Sequence, residues 1–506
     1  MIKMKKNTSI FNIKNLFSEN NTPGKLEQLL APVKLKSHII IFYLIIFLSF
    51  AIRFVHLNYN TAFNDEAIYI VIGRMGLFSS DWWSYGASQW MAGLPYIYPT
   101  LSALAYQTYG LLASRFLNVI FGVIIIEEVY RFTLLLNLFR TNQNIKASLI
   151  AALIAGISGV GIFVSRLATY DMPSFMLLML GINSFLKAKY FDNGKYYFLT
   201  FIFLFTAFLT KIIIGIFFPF LFLTSLLVMR KRVRRHKNFA INYLYTPFVI
   251  ASIIFFVSYF HYFMTFINTH VDEGLTTSYW DLFALIMQVT AVILIFSIPS
   301  AVYLIRRKKA YAVIFLITMA ATIPLFHLAL KRYATFDKHL YLTVIFLTPL
   351  AGYGMSKMLG IKRVAVRKRL ATSAILALIV YSVISFQLFT TLEKKWRNTS
   401  NLQVYLTDTV ENGNRVLTEE GASVILALYD EIFPPDSIVT FDWINYSGYS
   451  DEKGYLLAVH DKYFDYIELD NGDDETELEE NIRITMVDKY KLSNKLGEFE
   501  IYEKTQ

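Results

Sequence analysis

Two short stretches of this 506-residue chain carry side chains able to do chemistry at the edge of a membrane. In FNDEAIYIVIGRMG, Phe63 to Gly76, the carboxylates of Asp65 and Glu66 stand side by side just after the first long apolar run. In SRLATYDMPSF, Arg166 and Asp171 fall between two further apolar runs. A carboxylate in such a place can take a proton from a hydroxyl or cap a helix. Asn64 is a good cap residue, and acids in a first turn favour the positive end of the helix dipole. Asp171 precedes Pro173 as an N-cap would. Cations accompany both stretches. Lys211 interrupts an apolar run at FLTKIIIG, and Lys331, Arg332, Lys338 and His339 gather in KRYATFDKHLYL. Each has an ordinary reading as a charge snorkelling from a span end. Together with two acidic sites and an aromatic loop, they predict a pocket for an anionic ligand.

The elements that must hold these residues follow from composition. The chain is 55% hydrophobic and only 17% charged, which excludes an ordinary soluble globule and places it among multi-spanning membrane proteins. It lacks cysteine, so disulfides and thiolate chemistry are excluded. A spanning helix needs roughly 20 apolar residues. Runs of that kind fall near 38–57, 114–138, 146–165, 172–190, 196–211, 212–229, 244–266, 282–305, 310–330, 339–356 and 370–390, predicting about eleven spans. No small-residue cleavage site follows the first run, so it reads as a retained span.

Lys and Arg concentrate in alternate connections, including MRKRVRRHK, RRKK and KMLGIKRVAVRKR. The positive-inside rule puts these in the cytoplasm with the N-terminal tail, residues 1–37. The other connections then lie outside the cell membrane. Residues 1–390 hold 13 acids and 37 Lys/Arg, whereas 391–506 hold 25 acids and 11 Lys/Arg. The chain therefore divides near Trp396 into a membrane domain, 38–390, and a soluble acidic extracytoplasmic domain, 391–506. Asp65, Glu66, Asp81, Asp171, Asp272, Glu273, Asp281 and Asp337 all fall on outer loops or span ends. Glu127 and Glu128 fall inside the second span. A charge at the bilayer centre costs roughly 2.5–3.5 kcal/mol, so these two should face other helices.

The first outer loop, 58–113, is rich in Trp and Tyr and should roof the spans with short interfacial helices. In it, EAIYIVIGRMGLF reads as an amphipathic helix with Glu66, Tyr69 and Gly73 on one stripe. The last 110 or so residues read as α/β: strand and helix in NRVLTEEGASVILALYD, a strand in DSIVTF, helix and strand in KGYLLAVHDKYFDYIELD, then a helix and a terminal hairpin. NGDDETELEE reads as a solvated acidic loop. The domain is assigned to acceptor binding or scaffolding.

The order of these motifs resembles the GT-C glycosyltransferases, and among them the protein O-mannosyltransferases and lipid A aminoarabinose transferases. Members open their first outer loop with an Asp-Glu pair, here Asp65-Glu66. A Pro-containing stretch ending in Gly and a span opening with Ala-x-Arg follow, matched by LPYIYPTLSALAYQTYG and LLASRFLNVIFG. SRLATYDMPSF, FLTKIIIG and KRYATFDKHLYLTVIFLTPLAGYG match later motifs, so the resemblance covers roughly 38–360. The sequence departs from the pattern at Gly93-Leu94-Pro95, where members carry Glu-Lys-Pro, and at Ile212, where a Gly is usual.

The resemblance implies a GT-C-like bundle that moves a sugar from a polyprenyl-phosphate donor to a protein, lipid or glycan acceptor on the outer face. It makes Asp65 the base, Glu66 an orienting or loop-supporting residue, and Asp171 a second acid for acceptor or sugar hydroxyls. Lys211 would bind donor phosphate, with Arg166, Lys331, Arg332, Lys338 and His339 as further phosphate ligands. Attack opposite the phosphate would invert the anomeric centre. His339 with Asp337 makes a poor metal site, so no metal is expected to be obligatory, although a diphosphate donor would bring in a divalent cation. The basic residues track membrane topology, which argues against a nucleic-acid partner. A transporter or flippase for a lipid-linked saccharide is the alternative. It would place polar residues near the midplane of repeated halves, and the sequence shows no internal repeat.

Overall fold

The structure is a computed structural model that describes residues 37–83, 91–138, 141–190, 193–230, 234–272, 277–333, 335–361, 363–430, 437–471 and 476–505. Most of the N-terminal tail, Glu273, part of the first outer loop and residues 472–475 of the acidic stretch 471–480 lie outside the described residues.

Each predicted apolar run falls on helix. The first run is α1 (Ser37–Phe54), and the loop after it contains α2 (Asn64–Ser79). One helix, α3 (Tyr98–Leu136), covers both the end of that loop and the second span. It breaks at Tyr109 and Gly110, where Gly110 adopts φ 60°, a conformation glycine reaches without a Cβ penalty. The third run is a bent pair, α4 (Thr141–Gly156) and α5 (Gly159–Ser165), at 62°. Then come α6 (Asp171–Tyr190), α7 (Gly194–Thr210), a 3₁₀ turn (Ile212–Phe217) and α8 (Phe218–Arg230). A short α9 (Arg234–Ala240) runs through a π-helical turn into α10 (Thr246–Asp272). The bundle closes with α11 (Tyr279–Arg306), α12 (Ala310–Leu330), α13 (Phe336–Leu359) and α14 (Val364–Glu393). Among the described residues seven helices are long and apolar enough to cross a membrane, or eight with the bent pair as one span. This is a multi-pass membrane protein.

Helix α13 sits at the centre. Twenty of its residues are buried, and it packs chiefly on α4, α11 and α12. Phe346 and Tyr353 are wholly buried. By contrast α1, α10 and α14 show apolar side chains to their surroundings, as lipid-facing helices do. Glu128 is buried against Asn183, whose amide donates to it at 2.7 Å, while Glu127 is partly exposed and paired with Arg131. Of these two acids, Glu128 faces another helix and Glu127 does not.

A C-terminal α/β part follows α14. It comprises α15 (Ser400–Thr409), β1 (Val416–Thr418), α16 (Ala422–Leu428), β2 (Ile438–Thr440), α17 (Glu452–His460), β3 (Tyr466–Asp470), α18 (Glu477–Met486), β4 (Tyr490–Leu496) and β5 (Phe499–Lys504). The sheet order is β2-β1-β3-β5-β4, with β1 parallel to β2 and β3, and the β4–β5 hairpin antiparallel. This is the α/β order read from the sequence, with α15 added.

Helix α2 corrects the amphipathic reading. Residues 66–73 are all buried, on every face. Helix α3 covers one side, and α16 covers the other with Val424, Ile425 and Leu428, which share one apolar cluster with α2. The polar face of an interfacial helix is replaced by a contact with the C-terminal domain. Asn64 likewise does not cap its own helix. Phe63 holds the cap position, and the Asn64 side-chain oxygen accepts the Ala422 backbone N–H at 2.9 Å, at the start of α16.

Candidate active site

Four helix ends meet at the end of the bundle that carries the C-terminal α/β domain: the starts of α2, α6 and α13, and the end of α7. Asp65 lies in the first turn of α2, and its Oδ2 accepts from the Lys338 ammonium at 2.5 Å. Asp171 begins α6, and its carboxylate accepts from the Lys211 ammonium and from Thr169 Oγ1 at 2.9 Å. His339, next to Lys338, places Nε2 3.8 Å from Asp171 Oδ1. Five sequence-predicted site residues, Asp65, Asp171, Lys211, Lys338 and His339, thus come together from four separate helices. Lys338 and Asp65 also act electrostatically on the Asp171–Lys211 pair, so the two ion pairs form one array.

The backbone explains why Lys211 points here. Helix α7 stops at Thr210, and Lys211 is extended (φ −149°, ψ 111°) before the 3₁₀ turn. The break is stitched to the first loop: Leu94 N–H donates to Leu209 O at 2.8 Å and Ile212 N–H to Ala92 O at 2.6 Å. Between them lies Gly93, where an added Cβ would fall 2.2 Å from the Thr210 carbonyl oxygen. The Gly-Leu-Pro sequence is the one that permits this close approach. The Lys211 ammonium also lies 4.6 Å from the centre of the Tyr170 ring, and the Lys338 ammonium 4.5 Å from that of Phe63.

Burial separates the roles within the array. The side chains of Asp171, Lys211 and Lys338 are 1%, 4% and 5% exposed, while that of Asp65 is 31% exposed. Asp65 is the member an incoming hydroxyl can reach. A buried histidine pair borders the array: His327 Nδ1 lies 2.9 Å from the Arg332 carbonyl and its Nε2 lies 3.0 Å from His339 Nδ1. A carbonyl only accepts, so His327 Nδ1 carries the proton, and in the neutral pair His339 must donate from its own Nδ1. His339 Nε2 then presents a lone pair toward Asp171. Sequence reading did not single out His327, which stands 12 residues from its partner on another helix.

The other predicted residues lie elsewhere. Glu66 is fully buried and closed off. Its Oε1 accepts from Arg115 Nε at 2.9 Å and Ala168 N–H at 2.6 Å; its Oε2 accepts from Arg115 Nη2 at 2.7 Å and Phe63 N–H at 2.8 Å. Arg115 gives its remaining donors to the carbonyls of Leu57, Asn60 and Thr61. Arg166 donates to Glu393 at 2.8 Å and to the carbonyls of Arg53, Val55 and His56, binding the end of α1 to the end of α14. Lys331 is exposed, with its ammonium 4.8 Å from the Tyr279 ring centre, and half-buried Arg332 offers its carbonyl to His327.

Among the described residues no group of three or more His, Asp or Glu is placed to hold a metal ion. His339 and Asp171 supply two ligands, one fewer than the three protein ligands of an ordinary catalytic zinc site. Asp337, the other residue considered beside His339, accepts instead from Lys395 Nζ at 2.8 Å.

No family sequence model matches the chain, and neither does any curated protein sequence. Solved structures do. ArnT from Cupriavidus metallidurans bound to undecaprenyl phosphate aligns with a TM-score of 0.57 at 11% identity, covering 93% of this chain and 98% of that one. The oligosaccharyltransferase AglB from Archaeoglobus fulgidus, in complex with an inhibitory peptide and a dolichol-phosphate, gives 0.54 at 13% identity, over 94% and 75%. The arabinofuranosyltransferase AftD from Mycobacteria gives 0.56 at 10%, over 94% of this chain and 40% of that one. All three are GT-C glycosyltransferases, and the chain has the GT-C fold.

Proposed function

We propose that this protein is a glycosyltransferase that moves a sugar from a polyprenyl-phosphate-linked donor to an acceptor hydroxyl at the extracytoplasmic face of the cell membrane. One observation carries the reading: a half-open carboxylate, Asp65, shares an array with two lysines at the mouth of a GT-C bundle. The structural neighbours were solved with undecaprenyl phosphate and dolichol-phosphate, lipids of the chemistry the array suits. The alternating Lys and Arg of the connections favour a cytoplasmic N-terminus and an outer C-terminal domain.

In this mechanism the acceptor hydroxyl attacks the anomeric carbon from the face opposite the phosphate, and Asp65 takes its proton. The bond from anomeric carbon to phosphate oxygen breaks, the electron pair leaves with the polyprenyl phosphate, and the configuration inverts. Lys338 and Lys211 stabilise the charge that develops on the leaving oxygen. The two lysines and two aspartates of the free array cancel in charge, so the donor phosphate must compete for the ammonium groups. Lys338 is the easier to redirect because its partner is the exposed Asp65 rather than the sealed Asp171. Drawing Lys338 onto phosphate frees Asp65 for the hydroxyl. Asp171, held by Lys211 and Thr169, keeps Lys211 in place, with His339 buried beside it. Lysines can neutralise a monophosphate leaving group, so this scheme has no obligatory metal.

The test is transfer of sugar from polyprenyl-phosphate donors by purified protein. Asp65→Asn should lose turnover by ~10²–10⁴-fold, the range for a positioned base, while keeping its thermal transition. Transport of intact lipid-linked saccharide in proteoliposomes without sugar transfer would overturn the reading.

A further inference from the structure

The segment that leaves α14 grips three bodies in five residues. Glu393 accepts from Arg166. Lys395 Nζ donates to Asp337 Oδ2 at 2.8 Å, and Asp337 Oδ1 accepts the backbone N–H of Lys338 at 2.7 Å. The Trp396 ring centre lies 5.0 Å from Phe63, 5.6 Å from Tyr59 and 6.2 Å from Phe163. Its indole N–H donates to the Thr61 carbonyl at 3.3 Å, and its own carbonyl accepts from Asn60 Nδ2 at 3.1 Å. Arg397 turns to the soluble domain, where it pairs with Asp470 and lies 3.8 Å from Glu420 and 3.6 Å from Glu498.

Successive residues therefore face opposite bodies, and two ties lead from them to Lys338, one through Phe63 and one through Asp337. The Lys338 ammonium is held by the Asp65 carboxylate and by the face of Phe63. Trp396 packs against Phe63, and Lys395 anchors the residue that precedes Lys338. Thr399 adds a second tie, donating from its backbone and hydroxyl to Thr61 Oγ1. We propose that Trp396 is a positioning residue for Lys338, and that the strap 393–397 makes seating of the soluble domain a condition for the assembled Asp65–Lys338 pair. The effect on rate rests on the glycosyl-transfer reading above; the effect on Lys338 does not.

Two readouts separate these. The first is amine labelling of Lys338 in full-length detergent-solubilised protein, followed by mass spectrometry. Wild type should be protected. Trp396→Ala should label Lys338 ~10-fold faster, Trp396→Phe should restore most protection, and Phe63→Leu should match Trp396→Ala. The second is donor kinetics. A displacement of about 1 Å costs up to ~10²-fold in rate, so Trp396→Ala should lower kcat by ~10–100-fold with KM for the donor within ~3-fold. Unchanged labelling in Phe63→Leu and Trp396→Ala would overturn the proposal, as would a loss confined to KM. If Trp396→Ala does not fold, Phe63→Leu against Trp396→Phe decides by the same criterion. A wild-type protein without sugar transfer would count against the glycosyltransferase alone, and the labelling result would still decide the strap.

Discussion

Asp65 and Glu66 are adjacent carboxylates in the same helical turn, each paired with a cation, yet they belong to different kinds of site. Glu66 and Arg115 are both wholly buried, and every donor of the guanidinium and both carboxylate oxygens are used. The Asp65 carboxylate keeps about a third of its surface open and pairs with a flexible ammonium. A closed pair fixes the loop that precedes α2 to the start of the second span. An open pair can exchange its partner for a substrate. Saturation and exposure separate these two pairs; the type of residue does not.

The contrast can be broken most forcefully at the closed pair. Removing one partner of a buried ion pair costs ~3–5 kcal/mol, so Glu66→Ala should lower the thermal transition sharply and reduce folded yield. A Glu66→Ala protein that melts like wild type would place Glu66 with Asp65 instead. Next comes the inner pair, Asp171–Lys211. Lys211→Met should destabilise by a similar order because it strands Asp171. Lys211→Met combined with Asp171→Leu should recover much of the transition, since apolar replacement of both partners is often neutral, while donor binding stays lost. Recovery of donor binding in the double variant would remove Lys211 from phosphate contact. A smaller effect is expected at Gly93→Ala, where the new methyl group would meet the Thr210 carbonyl. Overpacking of this kind costs ~1–3 kcal/mol, and donor KM should rise as the Lys211 break shifts.

A pH-dependent effect is expected in the C-terminal domain. Burial, reinforced by neighbouring Glu420 and Glu419, raises Glu468 to about 8 from 4.5, although Thr418 and the Glu420 backbone donate to it. A carboxyl raised on folding contributes stability that is full below pH 4.5 and is lost as pH rises through about 8. The thermal transition of this domain should therefore fall between those limits, and Glu468→Gln should flatten the slope. A slope unchanged by Glu468→Gln would assign it to another group.

The sequence made the bundle legible because spanning helices are long and apolar, and the strand and helix order of the soluble domain because its periods are clean. It did not show that the 146–165 run bends by 62°, since Gly156 and Gly159 alone do not set an angle. The second buried face of helix α2 left no local trace because it is made by α16, about 350 residues away. Asp65, Asp171 and Lys211 were legible as motif residues. The Asp65–Lys338 and Glu66–Arg115 pairings were not, since contacts across 273 and 49 residues leave no local periodicity. Arg166 had the position of a phosphate ligand, but its partner is Glu393. Trp396 was visible as a boundary in charge, while its contact with Phe63 exists only in three dimensions.

The proposed transfer reaction stands or falls on Asp65 as its open carboxylate. Sugar release from a radiolabelled polyprenyl-phosphate donor by purified Asp65→Asn, measured beside donor binding to the same protein, tests it most directly. Turnover lost by ~10²-fold or more, with donor affinity within a few-fold of wild type, is the result expected. Turnover within a few-fold of wild type would contradict it.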